Sequence, residues 1–381
     1  MTTAEIITIG TELLLGEIQD TNTAYLARQF RHLGIDLYRV TTIGDNPLRI
    51  ADTIRESLSR ADVIVTTGGL GPTIDDPTRN AAAIAFNSDV VFHTELWESI
   101  KNRFLSREIL PTENNKKQAY LPAEAVAIEN PVGTAPAFYI LKNNRMLVCL
   151  PGVPAEMEAI FQRSVIPLLN NFFNLDSVIK SRVLHTSGIG ESAIDDAIGE
   201  FEKMNNPTVG LSAHPGSTDI RITAKSTTED EAVRMIDIID HQIRQRLPGA
   251  IFGKDHETLI LVIASLAREL GKTLRLHLYG LSLDLFQDSV TGTPDWLNLD
   301  RLEAPFILEE VKATSPQEEV FAVNFLKDNG AASLELIHIS GHYHESKARN
   351  YNGPMEQAEQ WGKTICLDFI WRTLNKLKPE P

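Results

Sequence analysis

The run Thr66-Thr67-Gly68-Gly69-Leu70-Gly71-Pro72-Thr73-Ile74-Asp75-Asp76-Pro77-Thr78 carries the residue types that chemistry on a phosphate needs. Gly68, Gly69 and Gly71 permit positive φ and a close ligand approach to the backbone. The N–H groups such a turn frees, the Thr73 amide among them, favour an anion when a helix starts just beyond. Asp75 and Asp76 would repel that anion unless a divalent cation lay between, which points to an oxygen-ligated, magnesium-type site. A tight turn with an aspartate N-cap uses the same residues, and a lone Gly-Gly-x-Gly does not separate the two readings. The Asp-Asp pair and further acids at matching places upstream, Glu12, Asp20 and Asp45, favour the metal.

Those acids need a scaffold that brings them together. Residues 61–65, just before the Gly-rich run, are apolar and β-branched and read as a buried strand; 78–85 read as a helix. Residues 4–10 read as a first strand, ending in the stretch from Gly10 to Asn22. Tyr25, Leu26, Phe30 and Leu33 then recur at helical spacing up to Gly34. Residues 35–43 read as a second strand ending in Gly44-Asp45-Asn46-Pro47, with Pro47 suited to a helix first turn. This β-α-β-α-β-turn-α order is that of a doubly wound, mainly parallel α/β sheet. Strand ends in such a sheet lie along one edge, where ligands bind. Asp20 on its own reads equally well as a helix N-cap.

Residues 94–120 read as helical, with Lys101, Arg103, Arg107, Lys116 and Lys117 on a solvated face from which one could reach a phosphate. Residues 138–141 and 146–150 read as a hairpin around Lys142-Asn143-Asn144-Arg145. The turn Pro151-Gly152-Val153-Pro154-Ala155-Glu156 opens a helix, and first-turn dipole support alone would account for Glu156.

The 381 residues suffice for two or three domains, and 43% hydrophobic with 23% charged residues fit a soluble globular chain. A formal net charge of −15 argues against a broad grip on nucleic acid or an anionic membrane. A small phosphorylated nucleotide held by amides and a metal remains compatible with that charge. Cys149 and Cys366 read as reduced core residues. With a strand pattern from the start and no apolar run of about 18 residues, the chain is expected to be cytoplasmic, and a homodimer is the general expectation for its assembly.

GTELLLGEIQDTN, TTGGLGPTIDDPT, NPVGTAPAF and LPGVPAEM, in that order, resemble the competence/damage-inducible protein CinA family, with Ala137 where that family usually has glycine. The resemblance implies a molybdopterin-binding-like domain over residues 1–170 and a small α+β domain over 176–254. It also implies an α/β amidase-like domain over 255–381. In that last region the family carries Ala-Glu-Ser-Cys-Thr-Gly-Gly with a nucleophilic serine; here Tyr279 stands near that place and Ser282 follows late, without paired glycines. The family's Tyr-Ser-x-x-x-Lys element has no clear match in residues 286–304, so amidase chemistry is expected to be lost. His338, His342 and His344 are spaced too loosely for a recognised metal motif; the plainer reading is a polar loop after the strand over residues 334–339.

The resemblance further implies hydrolysis of the pyrophosphate of ADP-ribose or a related nucleotide by the first domain. Gly68, Gly69, Gly71, Thr73, Asn22 and Gly133 are the candidate ligand-binding residues. Glu12, Asp20, Asp45, Asp75 and Asp76 are the candidate metal ligands, with magnesium the expected ion, and Asp76 and Glu156 the candidate catalytic groups. Binding of a pterin or adenylated pterin, and a non-catalytic nucleotide-binding regulator, are the alternatives.

Overall fold

The computed structural model describes residues 2–73, 75–173, 175–282, 296–306, 315, 317–328, 330–341 and 343–378. The chain falls into two compact units: Met1–Ile179 with Lys225–Glu229, and Lys180–Ala224 with Asp230–Pro381. The units divide near the first expected domain boundary. Segments 176–254 and 255–381 fall largely within the second unit.

In the first unit, β1 (Thr3–Ile9), α1 (Thr11–Leu14), α2 (Thr21–His32), β2 (Asp36–Ile43), α3 (Pro47–Leu58), β3 (Val63–Thr67) and α4 (Thr78–Phe86) follow the expected order. Then come β4 (Val90–Phe92), α5 (Thr94–Leu105), β5 (Tyr120–Pro122), β6 (Val126–Ile128), β7 (Ala137–Lys142), β8 (Arg145–Leu150), α6 (Pro154–Ile160) and α7 (Ile166–Phe172). The main sheet runs β2-β1-β3-β8-β7-β6. Its first four strands are parallel, and β7 and β6 are an antiparallel edge.

Strand alternation explains why the central strands β1, β3 and β8 are largely apolar on both faces. Ala4, Ile6, Val63, Val65, Met146 and Val148 face α2, α6 and α7 through Leu26, Phe30, Met157 and Leu169. Ile7, Ile9, Ile64, Leu147 and Cys149 face α3 and α4 through Ile50, Ile54, Ala81 and Ala82. A parallel sheet covered on both faces has no solvent side to mark with polar residues. Each fully buried Ile or Phe contributes about 1.5–3 kcal/mol. The chain winds from β1 out to β2, then crosses to β3 on the other side of β1, so a crevice opens beyond the carboxyl ends of β1 and β3.

The expected hairpin is present: Lys142 pairs with Arg145, and Asn143 and Asn144 take φ of 53° and 59°, as a two-residue hairpin turn requires. The expected single helix over 94–120 is not. α5 ends at Leu105, Glu108 turns back with φ 60°, and a short 3-10 helix occupies Glu113–Ala119. Pro111 lacks the N–H that a continuing helix would use.

In the second unit, β9 (Val178–Ser187), α8 (Glu191–Glu202), β10 (Thr208–His214), β11 (Ser217–Ser226), α9 (Glu229–Arg246) and β12 (Ile251–Lys254) form a four-stranded sheet, β10-β11-β9-β12. Ile194, Ile198, Ile236 and Ile243 of its helices fill the core against Ile220 and Ile222. Next come α10 (Leu259–Glu269), β13 (Thr273–Tyr279), β14 (Leu297–Arg301), β15 (Glu318–Asp328), β16 (Ala331–Ser340), β17 (Tyr343–Tyr351) and α11 (Ala358–Lys376), with sheet order β14-β13-β15-β16-β17. Leu274, Leu276 and Leu278 of β13 face α10 and α11, as do Phe321 and Phe325 of β15. Tyr279 closes β13. Most of residues 286–304, where an amidase element was sought, lies outside the described residues, as does His342.

His338 falls within the expected strand over residues 334–339. It lies inside β16, 3% exposed, with Nε2 2.8 Å from the Glu319 carboxylate and its ring stacked on Phe321. The strand runs to Ser340 and pairs His344 of β17 with Ile339. His344 was expected in the loop; it lies in β17 instead, and that run is polar because β17 is the exposed edge of the sheet.

Candidate functional site

Four parallel strand ends contribute to one cavity of about 460 Å³. Ile9, Gly10 and Glu12 come from the end of β1, and Asp45 from β2. Gly68 to Pro72, with Asp75 and Asp76, follow β3, and Pro151 to Val153, with Glu156, follow β8. Each position is set by its local fold. Asn46 caps α3 by accepting from the N–H groups of Leu48 and Arg49, so its neighbour Asp45 is not spent on the cap. Asp45 accepts instead from the Thr11 amide (2.8 Å) and hydroxyl (2.7 Å), which ties the ends of β1 and β2 together. Asp76 accepts from the Thr73 amide at 2.8 Å and the Thr73 hydroxyl at 2.5 Å. The Thr73 hydroxyl, the residue's own N–H and the Lys117 ammonium hold the Asp75 carboxyl below its usual range. Glu156 accepts from Asn130 Nδ2 at 2.6 Å.

The glycines serve the turn in a different way from the expected one. A Cβ on Gly68 (φ 110°) would lie 2.1 Å from the Ile9 carbonyl oxygen, and one on Gly69 (φ 66°) 2.3 Å from Thr78 Oγ1. Both point into protein, so these residues are glycine for the turn's conformation and its packing on β1, not to clear room for a ligand. The Gly68 N–H donates to Leu150 O (3.0 Å), and the Thr73 N–H is held by Asp76. The expected cradle therefore narrows to the amides of Gly69, Leu70 and Gly71, which have no protein acceptor among the described residues.

Four more expectations are relocated. Asp20 caps α2, accepting from the Thr23 N–H (2.9 Å) and hydroxyl (2.5 Å), and is not on the cavity wall. Asn22 is buried and donates to Thr67 Oγ1 (2.9 Å) and Gly152 O (2.8 Å), holding the β3 and β8 turns together rather than lining the cavity. Gly133 lines an adjoining cavity of about 300 Å³ and lies against the Glu156 carboxylate, 2.1 Å from where a Cβ would stand. Thr73 acts through Asp76. Glu12, Asp45, Asp75, Asp76 and Glu156 share the wall, yet among the described residues no three acids, histidines or cysteines are close enough to hold an ion by themselves.

Two residues, Arg79 and Gln118, were not picked out from the sequence, and a third, Lys117, was placed on a solvated face. Arg79, 2% exposed, lies under the turn and donates to the carbonyl oxygens of Leu70 and Gly71. Burial pushes its pKa down to about 10, against the pull of Asp76, so the guanidinium stays charged at neutral pH. A cation in the first turn of α4 opposes the helix dipole, and that was the available signal. Lys117 reaches from the 3-10 helix to the Thr73 carbonyl. Gln118, buried beside it, lines the cavity.

A family model described as a probable molybdopterin binding domain matches residues 5–171. A second, described as the damage-inducible protein CinA KH domain, matches residues 181–253. A Clostridium botulinum (Type A) protein described as competence-damage inducible is 42% identical over 264 residues, 69% of this chain and 64% of that one. The chain belongs to the CinA family. A CinA-like protein of Kosmotoga olearia is 42% identical over 272 residues, 71% of this chain and 66% of its own length. The chain thus spans just under two thirds of these CinA relatives. Among solved structures, CinA from Thermoplasma acidophilum matches 45% of this chain and 98% of its own, at 31% identity and TM-score 0.42. The molybdopterin biosynthesis enzyme MoaB from Thermus thermophilus matches 46% and 96%, at 18% identity and TM-score 0.33.

Proposed function

We propose that residues 1–170 bind an ADP-ribose-like nucleotide and hydrolyse its pyrophosphate to AMP and ribose phosphate. The observation that carries this reading is the meeting of five carboxylates with a Gly-rich turn around one cavity, with no ion pair to any of the five among the described residues. The volume of about 460 Å³ suits a small-molecule ligand.

The amides of Gly69, Leu70 and Gly71 receive a phosphate oxygen, and the buried Arg79 charge beneath them favours that anion. Glu156, oriented by Asn130, accepts the proton of the attacking water, whose oxygen joins one phosphorus as the bridging oxygen leaves with the other. The donor set fits a hard divalent ion of magnesium type. Such an ion is commonly held by one or two carboxylates together with phosphates and water rather than by a protein cage. Glu12, Asp45, Asp75 and Asp76 are the residues that would hold it. When bound it would neutralise phosphoryl charge and acidify water.

The test is AMP release from ADP-ribose by the full chain, with magnesium and with excess chelator. Turnover that chelator stops is expected; no turnover in either condition overturns the reading. The description of the matching N-terminal family model favours a second reading, in which the same cavity binds molybdopterin without hydrolysis. Calorimetry with both ligands separates the two, since tight pterin binding without ADP-ribose turnover would favour the second.

A further inference from the structure

The second unit contains a larger cavity, about 620 Å³, that the pyrophosphatase reading does not use. We propose that it is a binding site for a small phosphate monoester carrying an aromatic ring, of the mononucleotide type.

Two patterns build its walls. Lys347 and Arg349 are two apart on β17, so they project from the same face of the strand. That face is turned to α11, because Lys347 Nζ lies 5.5 Å from the Phe369 ring. On α11, Trp361, Ile365, Asp368, Phe369 and Arg372 recur at the 3–4 residue spacing of one helical stripe and line the cavity. A stripe mixing aromatic with charged residues suits a wet, half-apolar space better than a core. The opposite wall is the turn before α8 and the β10–β11 hairpin. A Cβ on Gly188 would lie 2.7 Å from Asp368 Oδ2, and one on Gly216 would lie 3.0 Å from Thr364 Cβ. Both take positive φ (70° and 81°), so each lets its turn close onto α11.

The charge balance favours an anion. Lys347, Arg349 and Arg372 line the cavity against the carboxylates of Glu191 and Asp368, in a chain whose formal charge is −15. Arg372 is fixed in place by Asp368, with Nε 3.0 and 2.9 Å from its two oxygens, and donates to Ser187 O at 2.7 Å. Lys347 has Glu345 at 3.2 Å. Arg349 has no carboxylate partner among the described residues; its recorded bond is to the Ala348 carbonyl. A guanidinium so placed offers the bidentate fork that suits a phosphate. Helix α8 begins at the same wall with Gly190 as N-cap and no side-chain cap, which adds to a positive field the guanidinium already sets. Trp361, partly exposed, supplies apolar surface for a ring, with the core residue Phe369 behind Lys347. The described residues of the stretch 273–304, where an amidase site was sought, contribute nothing to this wall.

The inference does not depend on the pyrophosphatase reading. Its test is titration calorimetry of the full chain with AMP, with inorganic phosphate and with a single-stranded oligonucleotide. The proteins are the wild type, Arg349→Gln, Lys347→Gln, Trp361→Leu and Asp76→Asn. We expect AMP binding that weakens by about tenfold or more in Arg349→Gln, as loss of a charge-assisted contact would give. It should weaken in Lys347→Gln and Trp361→Leu as well and persist in Asp76→Asn. Arg349 is exposed on an edge strand, so thermal melts of the Gln variant should match wild type; Lys347→Gln gives an independent reading if they do not. AMP binding that is lost only in Asp76→Asn would overturn the site, as would no AMP binding at all. Phosphate bound as tightly as AMP would overturn the aromatic part. Binding of the oligonucleotide alone, sensitive to Arg349, would make the surface a nucleic-acid site instead.

Discussion

The strand ends of the first sheet and the body of the β13–β17 sheet treat their acids in opposite ways. At the ends of β1, β2, β3 and β8, Glu12, Asp45, Asp75, Asp76 and Glu156 face a common space and form no ion pair among the described residues. In the β13–β17 sheet the acids are answered in place. Glu319, fully buried, accepts from Lys272 Nζ (2.7 Å), His338 Nε2 (2.8 Å) and Ser340 Oγ (3.2 Å), and Glu318 accepts from Arg275 Nε at 2.9 Å. Burial alone would raise the Glu319 pKa, but these three donors hold it below the usual carboxylate range. The lesson is that charge left open at a strand edge marks a place for a ligand, while charge closed within a sheet marks structure.

The largest test of that contrast is Glu319→Ala. It leaves Lys272 and His338 facing an empty acceptor position and is expected to cost about 3–5 kcal/mol in urea unfolding of the second unit. Glu319→Leu combined with Lys272→Met should recover much of the loss; a Glu319→Ala cost below 1 kcal/mol would break the comparison. Next is Asp76→Asn, expected to cut ADP-ribose turnover by at least about 100-fold, about 2.7 kcal/mol in barrier. Its melting temperature should hardly change, because the amide oxygen can still accept from the Thr73 N–H. Full activity in that variant would remove the open acids from the chemistry.

Two neighbouring glycines sharpen the point. Gly68→Ala should cost about 1–3 kcal/mol of stability, since it forces a Cβ onto the Ile9 carbonyl at positive φ. Gly71→Ala meets only the Asp76 side chain, at 2.4 Å, and should spare stability while lowering turnover by moving that carboxylate. Equal melting curves for the two variants would contradict this division.

The smallest effect is a pH dependence. Burial lowers the His185 pKa, but Asp219 at 2.7 Å and the Asp255 carbonyl at 2.9 Å raise it overall above 6.5. Because the folded value is the higher one, the pair's stabilisation is whole below pH 6.5 and is lost as pH rises through the folded value. For a partly exposed pair that is at most about 1 kcal/mol. The urea midpoint of wild type should exceed that of His185→Asn by more at pH 6 than at pH 8; a constant difference would remove the pair from the account.

Much of the first unit was legible because a sheet covered on both faces leaves long apolar runs, and because acids at parallel strand ends must share an edge. Asp20 was ambiguous for a physical reason: a carboxylate that caps a helix and one that waits for a ligand look alike in sequence, and only the Thr23 amide separates them. Gln118 was missed, and Lys117 was placed on a solvated face, because the segment was read as one helix, whereas the break after Leu105 turns it back onto the site. The glycines of the turn were recognised for the wrong neighbour, since the direction of a missing Cβ is a tertiary fact. The partner of His338 was not legible because Glu319 is nineteen residues away and in another strand.

The two cysteines provide a built-in probe. Cys149 sits in β8 of the first unit and Cys366 in α11 of the second, each a free thiol that burial pushes up to about 12. Neither can react with a thiol reagent until its surroundings part, since the attacking species is the exposed thiolate. With one such group per unit, labelling rates followed residue by residue clock the breathing of each half separately. A ligand that tightens the strand-end cavity would slow the Cys149 clock, and one seated against α11 would slow that of Cys366.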